Sequence, residues 1–142
     1  MPFLFSLLWD PYVPVCQHNH TSIVNVTNYR HTVVGNESAL QAALIAHGPI
    51  AVAMDASQGS FASYSGGVYS DSRCGNTKDA LDHAVLLIGY GVAQSAQGAA
   101  EEYWLVKNSW GTGWGEEGFF RIARNKNDMC GLAIDASFPI VA

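Results

Sequence analysis

Two apolar stretches, each with one polar side chain at a fixed place, constrain this chain more than any other feature. Leu81-Asp82-His83-Ala84-Val85-Leu86-Leu87-Ile88-Gly89-Tyr90-Gly91 carries a histidine near its start. Tyr103-Trp104-Leu105-Val106-Lys107-Asn108-Ser109-Trp110-Gly111 carries an amide near its end. Both read as buried strands, being short apolar runs closed by glycine. Taken singly, a histidine opening a strand is most often structural, and Asn108 and Trp110 fit a turn cap and a core aromatic. Taken together, and in this order, they fit another reading. An imidazole whose second ring nitrogen is held by a neighbouring amide is the orienting half of a Cys-His-Asn catalytic group.

The rest of the composition narrows the class. A chain of 142 residues suits one domain with a real core. Hydrophobic residues make up 49% and charged residues 13%, a globular composition with a lean charged surface. The net charge is -5 and no basic residues cluster, which argues against nucleic acid as a partner. Met1 to Trp9 is apolar but lacks a basic start and is short for a signal core. It also falls far short of the ~20 residues of a membrane span. Residues 1–9 are therefore read as a non-homologous leader, and no membrane is expected. Three triplets, beginning at Asn19, Asn25 and Asn36, are glycosylation acceptors if the chain is secreted.

Along the chain, Asp10 to Cys16 is expected to be extended, because Pro11 and Pro14 forbid a helix. Ile23 to Val34 reads as a strand. Asn36 to Ala46 is the main helix, with Asn36 as N-cap, Glu37 in the first turn, and Leu40, Ala43 and Leu44 at helical spacing. His47-Gly48-Pro49 ends it, with His47 read as structural. Further strands are expected at Ile50–Met54, Val85–Tyr90, Tyr103–Lys107 and Phe119–Ala123, with a brief pairing at Val68-Tyr69. Asp55 to Gly67 and Gln94 to Ala100 read as loops, and Gly131 to Val141 as a tail returning across the sheet. A β-dominated α+β fold follows.

At these residues the chain resembles the papain-like cysteine peptidases, the cathepsin L branch in particular. The run Asn108-Ser109-Trp110-Gly111-Thr112-Gly113-Trp114-Gly115 is one family signature, and Asp82-His83-Ala84 before an apolar strand is a second. The resemblance covers residues 10–142 and only the back half of the family's peptidase domain. It implies a distorted antiparallel, barrel-like right-hand domain. It also implies a role for His83 and Asn108 in catalysis, with Trp110 covering their bond and Asp82 tuning the ion pair. By the same resemblance Cys74 and Cys130 form a disulfide, against the alternative of two reduced buried thiols. Closing that loop is worth about 4 kcal/mol in the chain-entropy model. A selective pocket is implied at Ala53, Leu81, Ala84 and Asp135, and Trp110 and Trp114 border the leaving-group side. Asp135 brings an acid to the pocket floor, which suits an arginine side chain.

The nucleophile is expected to lie outside these residues. In this same family the cysteine sits in C-G-[SA]-C-[WY], with the histidine and asparagine ~130–150 residues downstream. Cys16, Cys74 and Cys130 do not match that pattern, and such a count from His83 falls before residue 1. The glutamine that completes the oxyanion hole in the family is expected to lie upstream as well. Cys16 is then the candidate unpaired thiol. A metal site of Cys16, His18 and His20 is set aside, because zinc wants about four ligands. No cofactor is implied. Ser109 is set aside as a nucleophile, since no G-x-S-x-G elbow surrounds it. The expected partners are a polypeptide substrate, the N-terminal peptidase half carrying the cysteine, and proteinaceous cysteine-protease inhibitors. The expected compartment is lysosomal or extracellular. The competing expectation is a catalytically dead homologue that only binds, or a fragmentary gene product.

Overall fold

The computed structural model describes residues 24–95 and 98–142. The leader, the extended segment to Cys16, His18, His20 and Asn19 lie outside the described residues. Seven strands form one sheet in the order β1-β7-β2-β4-β5-β6-β3, from β1 (Val26–His31), β2 (Ile50–Met54), β3 (Val68–Tyr69), β4 (His83–Gln94), β5 (Ala100–Lys107), β6 (Phe119–Ala123) and β7 (Ala136–Val141). Five of the six neighbouring pairs are antiparallel, and β3 runs parallel to β6. The fold is α+β, as the pattern implied. Among the described residues strand pairing does not close the sheet: β1 and β3 are its edges.

The main helix, α1 (Glu37–His47), forms where its caps dictate. Asn36 accepts a hydrogen bond from the Ala39 N–H at 2.9 Å, and Gly48, at φ +81°, ends the helix with its N–H on Leu44 O. Leu40 and Leu44, four residues apart, supply the buried face. Glu37 does more than favour the helix start. Its carboxylate accepts from Trp104 Nε1 at 3.1 Å, Asn125 N–H at 2.9 Å and Asp128 N–H at 3.3 Å, fixing the helix to β5 and to the chain before β7. His47 stacks on Phe138 with ring centroids 4.1 Å apart.

The core follows the strand alternation. Ile50, Val52 and Met54 of β2 are buried with Val85 and Leu87 of β4 and Trp104 and Val106 of β5. Four boundaries depart from the sequence pattern. The first strand stops at His31, and Thr32 to Val34 turn away towards Gly35. β4 runs on to Gln94 and β5 starts at Ala100, so both ends of the span expected as a loop belong to strands. These extensions are mostly exposed and carry no apolar alternation to read. The expected loop of 55–67 contains a short helix, α2 (Gly59–Ala62), pinned by the buried Phe61.

Cys74 and Cys130 are disulfide-bonded, closing a sequence separation of 56. Asp55, just past β2, holds both ends of the bridge. Its N–H donates to Cys130 O at 2.9 Å and its carboxylate accepts from Gly75 N–H at 2.6 Å. Gly131 sits at φ +73°, where a side chain is strained, and a Cβ there would press on the Asn76 backbone at 3.2 Å.

Two residues before Cys130 sits a buried acid. Asp128 is 8% exposed; its Oδ1 accepts the Ala133 N–H at 2.8 Å, and its Oδ2 is buried without a hydrogen bond among the described residues. Burial, with the Glu37 carboxylate nearby, pushes its pKa up to about 6 from 3.8, against the opposing Ala133 hydrogen bond. The folded chain therefore binds this proton more tightly than the unfolded chain. The stabilisation is full below the unfolded value and is lost as pH rises through about 6. Urea unfolding of the wild-type chain should show stability falling between about pH 4 and pH 7 by an amount on the order of 2 kcal/mol from this group. Asp128→Asn, which keeps the acceptor oxygen and removes the titration, should flatten that decline. An equally steep decline in the variant would assign it elsewhere.

Candidate active site

Antiparallel pairing brings the start of β4 beside the end of β5, with Leu86 opposite Lys107. His83 opens β4, opposite Met54 of β2, and Asn108 follows β5 directly. Their side chains meet, His83 Nε2 and Asn108 Oδ1 standing 2.9 Å apart. The same oxygen accepts the Ser109 N–H at 2.7 Å, and the Asn108 N–H donates to Gly118 O at 2.9 Å. Oδ1 is thus the acceptor, so Nε2 must be the donor. That fixes the neutral tautomer, with the lone pair on Nδ1, which makes no hydrogen bond among the described residues. Asn108 is 7% exposed, and its bond to His83 is shielded from bulk water.

Aromatic rings surround the pair. Trp110 lies tilted beside the imidazole with centroids 4.9 Å apart and remains 42% exposed. Trp114 packs edge-on against Trp110 at 5.0 Å and donates its indole N–H to Ala62 O at 3.0 Å. Fully buried Phe61 is the hub, 5.6 Å from Trp110, 5.2 Å from Trp114 and 6.5 Å from His83. The sequence alone places Phe61 only as an anchor of a loop. A large aromatic inside a run of Gly and Ser was the one signal for its place beneath the site.

The other expected residues divide. Asp82 accepts the Ala56 N–H at 2.7 Å and so ties the segment after β2 to the start of β4. Ala53 and Ala84 face each other across β2 and β4, and the Ala53 N–H donates to Asp135 O at 3.0 Å. Leu81 leans over Gly131. The Asp135 carboxylate turns towards His31, with Oδ1 3.4 Å from Nδ1. An open, largely apolar groove is lined by Ala84, Val85, Leu86 and the segment 107–109, and Leu86 is 37% exposed.

Residues 10–140 match the family model described as papain family cysteine protease. The chain belongs to the papain family of cysteine proteases. It is 46% identical over 127 residues to a cathepsin L-like protein of Caenorhabditis elegans, covering 89% of this chain and 36% of that protein. It is 44% identical over 135 residues to cathepsin L2 of Homo sapiens, covering 92% of this chain and 40% of that protein. Among solved structures, procathepsin L 3 of Tenebrio molitor superposes with a TM-score of 0.73 at 41% identity, over 83% of this chain and 36% of that one. Bromelain of Ananas comosus, in complex with the E64 inhibitor, does so with 0.68 at 42% identity, over 80% and 50%. The chain thus spans roughly two fifths of the length of the cathepsin relatives. Among the described residues no His, Cys, Asp and Glu side chains group as a metal site, and no helix is long and apolar enough to cross a membrane.

Replacing Asn108 by Ala removes the acceptor of two hydrogen bonds in a shielded place. Urea unfolding should show a loss of about 1–3 kcal/mol. A loss under a few tenths of a kcal/mol would mean that the amide does not hold this corner.

Proposed function

We propose that this chain is the His- and Asn-bearing half of a cysteine-type endopeptidase domain of cathepsin L type. The observation that carries the reading is the His83–Asn108 pair, with Nδ1 free to face a thiol. Cys74 and Cys130 are spent in their disulfide, so neither supplies the nucleophile. The thiol and the glutamine of the oxyanion hole come from a front half that docks on the groove beside His83. Alone, the 142 residues are then inactive.

The chemistry follows from the tautomer. The thiol passes its proton to His83 Nδ1, and the thiolate attacks the carbonyl carbon of a peptide bond. The imidazolium then protonates the departing amine nitrogen as the carbon–nitrogen bond breaks, leaving an acyl-thioester. Water attacks that carbon, giving its proton to Nδ1, and the restored thiol leaves with it. Asn108 holds the ring through both transfers without adding charge. Trp110 keeps water from the His83–Asn108 bond, and with Trp114 it borders the side on which the amine departs. Asp82 acts on this chemistry through the position of the β4 start. Ala53, Leu81, Ala84 and Asp135 border the substrate side chain. The disulfide and the buried Asp128, steadier in acid, suit an oxidising and acidic route, lysosomal or secreted. Proteinaceous cysteine-protease inhibitors would compete for the same cleft.

The exposed Leu86, Trp110 and groove also fit the second reading, a dead homologue that only binds. The two separate on one experiment. The adjoining upstream DNA is read for the cysteine-bearing half, and an active-site thiol probe is applied to the natural protein. Labelling that competes with a peptide substrate supports the peptidase. With that half present, His83→Ala should lower kcat/KM by at least ~100-fold; a smaller loss counts against the assigned role. The 142-residue chain alone should self-associate through its apolar face. Light scattering should give a mass above its 15.3 kDa, and a clean monomer would contradict the docking surface.

A further inference from the structure

One sequence motif has no part in the chemistry above. Asn36-Glu37-Ser38 is an acceptor triplet for N-linked sugar, and it coincides with the start of α1, where Asn36 is the N-cap. We infer that Asn36 is an N-glycosylation site at which one amide has two uses: Oδ1 caps the helix while Nδ2 carries the oligosaccharide. The inference rests on the secreted or lysosomal route proposed above, which brings the natural protein to the sugar donor, and not on the peptidase chemistry.

The cap separates the two ends of the amide. Oδ1 accepts the Ala39 N–H at 2.9 Å, with Asn36 itself in extended backbone outside the helix. The nitrogen end has two hydrogens to offer. Among the described residues neither Asn36 Nδ2 nor the Ser38 hydroxyl makes a hydrogen bond, and both residues are exposed. Oxygen and nitrogen leave the planar amide on diverging bonds, so a group on Nδ2 points away from the N–H that Oδ1 holds. Glu37, between the two, turns its carboxylate inward to the Trp104 indole and the Asn125 N–H, and does not crowd the acceptor. The triplet at Asn25 is built differently. It runs into β1, its Thr27 hydroxyl donates to Ile140 O at 3.2 Å, and the Asn25 carbonyl accepts the Ala142 N–H at 3.0 Å. The end of the chain engages that triplet, whereas Asn36 and Ser38 keep their reacting groups in solvent.

The donor is an oligosaccharide carried on a polyprenyl pyrophosphate, presented by the transferase of the secretory route. Nδ2 gives up one proton and bonds to the anomeric carbon as that carbon's bond to the pyrophosphate oxygen breaks. The lipid pyrophosphate leaves, Asn36 keeps one N–H, and nothing is oxidised or reduced. The sugar then stands at the end of the sheet away from the catalytic pair. Glu37 binds Trp104, Trp104 pairs with Tyr90, and Tyr90 lies seven residues along β4 from His83. At about 3.3 Å per residue that is roughly 20 Å, so the sugar leaves the approach to His83 open. Just before Asn36, Val33 and Val34 are 64% and 68% exposed, an apolar pair that a bulky, solubilising sugar covers.

The test secretes the full 142-residue chain from a eukaryotic cell behind a cleavable signal. Glycosidase release in heavy-oxygen water converts each glycosylated asparagine to a labelled aspartate, which mass spectrometry locates. Most chains should carry the label at Asn36, and Ser38→Ala, which keeps the amide, should lose it entirely. Hydrogen exchange then reads the second use of the amide. The Ala39 N–H should be equally protected in the glycosylated chain and in Ser38→Ala, whereas Asn36→Ala should lower that protection by roughly fivefold. An unlabelled Asn36, or a label that survives Ser38→Ala, would overturn the site. Ala39 protection that falls on glycosylation would overturn the double use. Occupancy is read on the digested chain, so a variant that fails to fold still gives a result. The signal is supplied and no turnover is measured, so failure here is separate from failure of the proposed route and of the peptidase reading.

Discussion

Antiparallel pairing of β4 with β5 is the constraint on which the rest depends. It sets the beginning of one buried strand against the end of the other, and the sequence puts one polar side chain at each place. Neither side chain would choose that position alone. The amide is bound from two sides, by a ring nitrogen and by the next residue's N–H, and its oxygen has no freedom to exchange with its nitrogen. A hydrogen bond held this way selects a tautomer, and the tautomer selects which nitrogen faces outwards. Chemistry at Nδ1 is therefore a consequence of register.

The register is itself supported at three points away from the pair. Phe61 packs against Trp110, which lies beside the imidazole, and against Trp114 behind it, so a four-residue helix shapes the site's aromatic side. Glu37 binds the indole of Trp104 and two backbone N–H groups, locking the main helix to β5. The Cys74–Cys130 bridge, held through Asp55, keeps the segment leading to His83 against the end of β2. Asp55 keeps its charge although burial opposes it, because Ser57 and the Gly75 N–H bind the carboxylate and hold its pKa below the ordinary value. Asp128, nearby, has one such hydrogen bond and shifts the other way. Two acids at one junction thus shift in opposite directions according to the number of donors they meet.

What was legible in the sequence was whatever local chemistry enforces. The Asn36 cap, the Leu40–Leu44 stripe and the glycine stop defined α1 almost to the residue. The alternation in Ile50–Met54 defined β2. The pairing of His83 with Asn108 was legible only through the joint motif, since neither residue is distinctive alone. Other features depend on contacts that no short window contains. The outer halves of β4 and β5 hold each other by backbone pairing, with side chains in solvent, so they lack a hydrophobic period. α2 exists because Phe61 is buried under two tryptophans distant in sequence. Asp135 was expected at the floor of a pocket facing a substrate; that its carboxylate meets His31 depends on β1 ending where β7 begins, a long-range pairing.

The most direct measurement of the central claim is the protonation of the His83 ring itself. A long-range proton–nitrogen spectrum of the chain, at a pH where the imidazole is neutral, reports which nitrogen carries hydrogen. The Asn108 clamp requires a single tautomer with hydrogen on Nε2 and a bare Nδ1. Hydrogen on Nδ1, or rapid averaging between the two, would contradict it, because a ring that the amide does not hold cannot present a fixed lone pair to sulfur.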